Sequence, residues 1–170
     1  MKPFRFCPAD ATPLENPDAE GGSRCPACSR SWYRNSAPTA GAALVRDGKA
    51  LVCVRGREPE KGRLDVPGGF LLPGEHPIDG LKREVNEELG VEIDVGIDDC
   101  VSMVPHRYGE EGDFVLALGF VARLIGGDIV PNDDVEAVAW VGADELDDLD
   151  FAWPHDRDLV KEALIREERS

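Results

Sequence analysis

The segment that most constrains this fold is a glycine-rich loop followed by one amphipathic helix. Apolar residues recur there at steps of three and four, which predicts a helix with one buried face; they are Ile78, Leu81, Val85 and Leu89. Pro77 suits the first helical turn, and Gly90 can adopt the left-handed conformation that ends a helix. We therefore expect a helix over 76–89.

The polar side of this helix carries three carboxylates, Glu84, Glu87 and Glu88. Like charges three and four residues apart lower helix stability, whereas a bound Mg²⁺ supplies the positive charge that the oxygens need. The alternative is a solvated acidic face in a protein rich in acidic residues. Arg83 lies four residues before Glu87 and can hold that carboxylate in one rotamer.

The loop before the helix has residues that suit a phosphate ligand. Gly68 and Gly69 allow the backbone to approach a ligand closely, and Glu75 can reach the metal region from the loop. Mg²⁺ keeps several water ligands and binds through a few carboxylates together with substrate phosphates. The pattern therefore favours a diphosphate substrate.

The spacing of these residues is itself a recognisable signature. The chain reads Gly69, five residues, Glu75, seven residues, Arg83-Glu84-Val85, one residue, Glu87-Glu88, one residue, Gly90-Val91. This run resembles the signature of the Nudix hydrolases at every fixed position. The resemblance implies an α+β fold, a Nudix-type α/β/α sandwich with a mixed sheet. It also implies Mg²⁺-dependent, or Mn²⁺-dependent, hydrolysis of a nucleoside diphosphate linked to another group.

The same resemblance assigns roles to matching positions. It implies catalytic roles for Glu84, Glu87 and Arg83. Glu84 and Glu88 are then the main Mg²⁺ ligands, with Glu87 a further ligand and Glu75 contributing to the site.

The sequence does not decide which residue is the general base. Glu84 resembles the residue assigned this role in some members of the family, whereas others use a carboxylate from a separate loop. Here that loop offers Glu110 and Glu111, and the alternative for both is an exposed turn.

Substrate contacts are expected from Gly68 and Gly69 and from a basic pair upstream, Arg55 and Arg57, which can meet phosphates. Leu64 stands where a Trp is common in the family, so no aromatic contact is expected from that position.

Two tryptophans, Trp140 and Trp153, are candidates for stacking on a nucleobase. Packing in the core is favoured for both, because Trp140 ends an apolar strand and Trp153 opens the last helix. No role is assigned to the histidines.

The rest of the second domain, 37–170, is mainly strands. Asp47-Gly48 predicts a tight hairpin between two strands, and a long loop follows over 57–77. Further strands are expected near 91–95, 101–108, 114–124 and 135–141, with a closing helix over 154–168.

Residues 1–36 form a separate segment with its own cysteines. CPAD at 7–10 and CPAC at 25–28 resemble the two knuckles of a zinc ribbon, with Asp10 where a fourth Cys is usual. Zinc held by Cys7, Asp10, Cys25 and Cys28 is one interpretation, and a metal-free ribbon is the other. Cys53 and Cys100 are expected to be buried structural residues.

Charge and hydropathy limit the partners. The chain has 34 acidic and 19 basic residues, a net charge of −15, which disfavours nonspecific nucleic-acid binding. No apolar run is long enough to span a membrane, and the start has no signal-peptide pattern, so a cytoplasmic location is expected. We expect a small nucleotide substrate and no binding to nucleic acid or to a membrane. The sequence leaves open whether the protein forms a homodimer.

A zinc ribbon before a Nudix domain resembles the NADH pyrophosphatases, but their downstream Ser-Gln-Pro-Trp array is absent. Pro105 is faintly similar to the proline that marks ADP-ribose pyrophosphatases. We therefore rank ADP-ribose, or a related sugar or dinucleotide, first. The alternative function is a non-catalytic module that senses a nucleotide and binds a partner through its ribbon.

Overall fold

The computed structural model describes residues 4–109 and 112–169 and divides into two compact units, Met1–Ser36 and Ala37–Ser170. Glu110 and Glu111 lie outside the described residues. In the described part, no helix is both long and apolar enough to cross a membrane.

The first unit is built on two turns and a short hairpin. Strands β1 (Gly22–Arg24) and β2 (Ser31–Tyr33) pair in antiparallel fashion, and the chain between them turns at Cys25, whose carbonyl accepts a hydrogen bond from the N–H of Ser29. The carbonyl of Cys7 accepts one from Ala11 in the same way. The cysteine at the start of each knuckle is buried.

The second unit contains eight further strands and two α-helices among its described residues. In chain order these are β3 (Ala37–Arg46), β4 (Lys49–Arg55), β5 (Leu64–Asp65), β6 (Gly68–Phe70), α1 (Pro77–Leu89), β7 (Glu92–Asp94), β8 (Cys100–Arg107), β9 (Phe114–Gly126), β10 (Val135–Val141) and α2 (Pro154–Glu168).

These strands form one mixed sheet. Its main order is β10-β4-β3-β9-β7, while β5 pairs with β4, β6 with β3 and β8 with β9. The β3–β9 pair is parallel, and all other pairs are antiparallel.

The core lies on both faces of this sheet. On strand β3, Ala42 and Leu44 belong to the cluster that packs against α1, whereas Ala43 belongs to the cluster that packs against α2. This alternation follows from the two-residue period of a strand. The α+β fold with a mixed sheet between two helices is therefore confirmed.

Local signals in the sequence set the ends of several elements. Asp47 and Gly48 have φ values of 54° and 72°, the left-handed pair that a primed hairpin turn requires. His76 caps α1 through Nδ1, which accepts from the N–H of Ile78 at 3.3 Å, and Gly90 ends the helix at φ 69°. The predicted hairpin and both predicted helices are confirmed.

The segment predicted as one long loop differs from the structure, because it contains β5 and β6. These strands have only two and three residues, so they carry no periodic pattern. They form because Asp65 comes opposite Cys53 of β4, and Gly68 comes opposite Gly41 of β3.

Candidate active site

The two glycines of β6 bring the backbone close to strand β3 and helix α1. Gly68 has a φ of 147°, and a Cβ there would collide with the carbonyl oxygen of Ala40 and lie 2.6 Å from Cα of Gly41. A Cβ on Gly69 would lie 2.5 Å from Cδ of Glu84. Only glycines permit this approach of β6 to the acidic side of α1.

Glu88 is the most enclosed carboxylate of the helix. Its exposed fraction is 6%, and its Oε2 accepts a hydrogen bond of 2.8 Å from the N–H of Gly68. Burial raises the pKa of Glu88 to about 9, although the bond from Gly68 opposes this rise. The nearby negative charges of Asp134, Asp65 and Glu84 raise it further. A buried acidic group among like charges fits a site for a divalent cation.

Arg83 holds the other carboxylates together. Its Nε and Nη2 donate to the two oxygens of Glu75, each at 2.9 Å. Its Nη1 donates to Glu84 at 2.8 Å and to Glu87 at 3.2 Å. These hydrogen bonds from Arg83 lower the pKa of Glu75 to about 2. The predicted contact of Arg83 with Glu87 is present, and it is the longest of the set.

A cavity of about 260 Å³ opens beside this helix, and its lining includes Gly68, Gly69, Glu84 and Glu88. The structure therefore brings six of the predicted site residues to one cavity, these four together with Arg55 and Arg57. Glu87 is outside this lining and its side chain is 53% exposed.

The predicted magnesium ligands do not converge to the spacing of a bound ion. Among residues 4–109 and 112–169, a single cluster brings three or more candidate ligand atoms within 4.8 Å of one another, and it is in the first unit. The carboxylates of Glu75, Glu84 and Glu87 are instead paired with Arg83. The fit of Mg²⁺ rests on the charge and burial around Glu88 and on the position of Glu84 at the cavity.

Arg55 lines the cavity, but its guanidinium group already bonds to other groups of the protein. Its Nη1 forms an ion pair with Asp65 at 2.5 Å, and its Nε donates to the carbonyl of Pro59 at 2.8 Å. The guanidinium also lies 4.7 Å from the ring centre of Trp153, and Nη2 donates to the hydroxyl of Tyr108 at 3.4 Å. Arg55 therefore helps to hold the rings of Trp153 and Tyr108 in place.

Arg57, the second basic residue predicted to bind substrate, is more accessible. Its side chain is 61% exposed and its Nε pairs with Asp134 at 2.5 Å. Both residues line the cavity. The negative charge of Asp134 also raises the pKa of Glu88. No motif in the sequence marks Asp134 as a site residue.

The expectation of core packing is confirmed for Trp140 and wrong for Trp153. Trp140 packs against the core cluster on the α1 side. Trp153 lines the cavity and stacks on Tyr108, with ring centres 5.5 Å apart and planes at 20°. Because the chain at Trp153 turns into α2 beside the end of β8, its ring faces the site rather than the sheet interior.

The histidines also reach the cavity, although the sequence suggested no role. The rings of His106 and His155 are 4.3 Å apart, and both line the cavity. Burial, together with the neighbouring His106, lowers the pKa of His155 to about 4. At neutral pH both imidazole rings are therefore uncharged, and they add aromatic surface to the cavity.

The first unit contains the cluster with metal-like spacing, Cys7, Asp10, Cys25 and Cys28. The Sγ atoms of Cys7 and Cys28 are 3.8 Å apart, and Cys25 Sγ lies 3.7 Å from each carboxylate oxygen of Asp10. Tetrahedral zinc with bonds of about 2.3 Å places two sulfurs about 3.8 Å apart.

Backbone groups also support a thiolate in this cluster. The N–H of Cys28 donates to Cys25 Sγ at 3.4 Å and lowers the pKa of Cys25. Outside the cluster, Cys53 is buried in the core as expected, whereas Cys100 is only half-buried and packs against the edge of that core.

Comparison with known proteins decides the family. The model of the NUDIX domain matches residues 35–163. The chain belongs to the Nudix family. A Nudix hydrolase from Nitrosomonas europaea has the same fold, with a TM-score of 0.78 at 21% identity, over 98% of this chain and 94% of that one.

Sequence relatives cover almost the whole chain. An NAD-capped RNA hydrolase NudC of Chromobacterium violaceum is 31% identical over 95% of this Nudix chain, and one of Deinococcus radiodurans is 30% identical over 96%. The chain spans 59% and 58% of the lengths of these two relatives.

Proposed function

We propose that this Nudix protein hydrolyses the pyrophosphate bond of a nucleoside diphosphate linked to another moiety, with Mg²⁺, or Mn²⁺, as cofactor. The observation that carries the proposal is the buried Glu88 carboxyl, which the N–H of Gly68 holds beside Glu84 at the cavity. An enclosed acidic site next to a backbone free of side chains suits a metal-bound diphosphate.

The glutamates of the site have different roles in this reaction. Glu84 and Glu88 would hold the metal, with Glu87 as a further ligand and Glu75 contributing through its ion pair with Arg83. Once bound, the metal neutralises phosphate charge and lowers the pKa of the attacking water. Glu84 lines the cavity and would accept the proton of that water.

Arg83 acts by positioning. Its four hydrogen bonds to Glu75, Glu84 and Glu87 fix the carboxylates of the loop and the helix relative to one another. The glycines at positions 68 and 69 leave room for a phosphate beside the backbone.

The substrate class that fits best is an ADP-ribose-like compound or a dinucleotide. The aromatic wall of the cavity, formed by Phe70, Tyr108 and Trp153, suits a flat ring at one end of the substrate. NAD is a dinucleotide joined by a pyrophosphate, so the description of the NudC relatives supports the same class. The net charge of −15 argues against a long RNA portion bound by charge.

For the first unit we propose one zinc ion held by Cys7, Asp10, Cys25 and Cys28. The sulfur–sulfur distance of 3.8 Å and the hydrogen bond to Cys25 Sγ support this assignment. A small unit with few buried apolar residues gains much of its stability from such an ion.

The test is a panel of ADP-ribose, NADH, a nucleoside diphosphate sugar and NAD-capped RNA, incubated with and without Mg²⁺ and resolved by chromatography. We expect Mg²⁺-dependent release of a nucleoside monophosphate. Glu84→Gln and Glu88→Gln should each lower turnover about 100-fold or more while folding is retained. The control is Glu92→Gln, which changes an exposed residue of β7.

Two results would overturn the proposal. One is a rate near that of the wild type in both glutamine variants. The other is folded protein, with Mg²⁺ present, that cleaves no member of the panel, as expected of a nucleotide-sensing module.

A further inference from the structure

A second cavity, of about 550 Å³, lies apart from the cavity of the candidate active site, and the two share no lining residue. It lies where the ends of β3 and β9 meet β10. Part of its lining is apolar and half-buried, and packs against the core on the α1 side: Leu124, Ile129, Val138 and Trp140. An apolar group that enters this cavity therefore leaves water.

One cation, Arg46, also lines this cavity and stands over its indole ring. The guanidinium carbon of Arg46 lies 4.5 Å from the ring centre of Trp140. Contact with a ring face holds a cation without using its N–H donors. Among residues 4–109 and 112–169, no carboxylate forms an ion pair with Arg46. Its N–H groups can therefore bind an anion at the cavity.

A second cation lies directly across the β3–β4 hairpin. In the strand register Arg46 comes opposite Lys49. Side chains at directly paired positions share one face of the sheet, where like charges lower stability. Asp47 lies in the turn between them, and Glu167 accepts the N–H of Gly48. In the part of the chain that the structure describes, however, neither carboxylate forms an ion pair with the two cations. An anion at Arg46 would relieve this repulsion.

The lining of the cavity also limits the charge of that anion. Asp128 is part of the lining and is negative at neutral pH. It repels every anion that binds beside it, and it repels a dianion about twice as strongly as a monoanion. A carboxylate carries one charge and matches the planar fork of the Arg46 guanidinium. These features favour a carboxylate over a phosphate monoester.

We propose that this cavity is an accessory site for a small monocarboxylate with an apolar body. The carboxylate pairs with the guanidinium of Arg46, and the apolar body packs against Leu124 and Val138. Asp128 selects against dianions. The assignment is independent of the proposed hydrolysis, because the two cavities have separate linings.

The test is a titration of the full chain followed by saturation-transfer NMR, with four probes that separate charge from apolar area. Hexanoate has both features, acetate lacks the apolar body and 1-hexanol lacks the charge. Hexyl phosphate is a dianion at about pH 8, because the second pKa of a phosphate monoester is about 6. We expect hexanoate to bind about 10-fold more tightly than each of the other three. Absence of saturable hexanoate binding, or equal affinity for hexanoate and another probe, overturns the proposal.

Three variants and a matched control locate the site. Arg46→Gln should weaken hexanoate binding about 10-fold. The control is Arg123→Gln, which removes an exposed cation of β9 two residues after Val121, whose side chain packs on the α2 side. Asp128→Asn should bring the affinity for hexyl phosphate closer to that for hexanoate. Phe70→Ala changes the active-site cavity alone and should leave hexanoate binding unchanged.

Unchanged binding in Arg46→Gln, or an equal loss in Arg123→Gln, makes the proposal wrong. Weaker binding in Phe70→Ala assigns hexanoate to the active-site cavity and also contradicts it. If Arg46→Gln does not fold, as judged by circular dichroism, the wild-type probe series and Asp128→Asn still decide the question. Hexanoate binding in a protein that hydrolyses no diphosphate contradicts the proposed function alone.

Discussion

The adjacent glycines of β6 should respond to the same added methyl group in opposite ways. At Gly69 the new Cβ meets Cδ of Glu84 at 2.5 Å, which is the far end of a flexible side chain. At Gly68 it meets the backbone of Ala40 and Gly41 on the paired strand, and φ is 147°. The first clash is relieved by rotating one side chain, whereas the second requires strand β6 to move.

The magnitudes follow from these contacts. Gly68→Ala combines a strained backbone, about 1–3 kcal/mol, with overpacking of about 1–3 kcal/mol, so we expect a loss of about 3 kcal/mol or more in the free energy of unfolding. Gly69→Ala should cost less than about 1.5 kcal/mol, the scale of a rotamer change. It should nevertheless reduce turnover about 100-fold, because a displacement of about 1 Å in a reacting group has that effect.

Urea unfolding followed by circular dichroism gives the stabilities, and hydrolysis of the best diphosphate substrate under saturating Mg²⁺ gives the turnover. Gly62→Ala is the control for backbone strain, because Gly62 has φ 85° with nothing within 4 Å of its Cβ position. Wild-type turnover in Gly69→Ala, or wild-type stability in Gly68→Ala, would refute the reasoning.

The other predictions concern the metal of the first unit and the titration of the cavity. Mass spectrometry under native conditions should find one zinc per chain, lost in Cys28→Ala and retained in the control Cys100→Ala; retention in both contradicts the assigned ligands. Asp10→Asn should release zinc to a chelator faster than the wild type, and an unchanged rate removes Asp10 from the ligand set. The pKa of His155 is about 4, below its usual 6.5, so the unfolded chain takes up this proton first and stability falls as the pH drops from 6.5 to 4. In urea titrations His155→Gln should flatten this part of the curve, and an unchanged slope would contradict the shift.

Local patterns predicted much of this fold. The helix over 76–89 carries its apolar period, a proline at the start and a glycine at the end, so each feature is visible within a few residues. The hairpin at Asp47-Gly48 is equally local. By contrast, β5 and β6 exist only because longer strands supply their hydrogen-bond partners, and no window of sequence contains that information.

The candidate site divides in the same way. Glu84 and Glu88 follow from helix spacing, and both line the cavity. Asp65 and Asp156 are distant in sequence, and both line the cavity because β5 pairs with β4 while Phe151, just before α2, bridges to Leu64 of β5. The role of Arg83 was predicted in part, since its strongest partner is Glu75 from the loop rather than Glu87 from the helix.

The small side chains of strand β3 affect how closely helix α1 approaches the sheet. Its buried side chains toward α1 include Ala40 and Ala42, which pack in one cluster with Leu81 and Val85 of the helix. Methyl groups this small let α1 lie low on the sheet, and Gly68 and Gly69 pair with the same strand. Under the proposed function, the space for a phosphate therefore depends on these alanines, and enlarging one of them would move the acidic helix away from the sheet without altering any charged group.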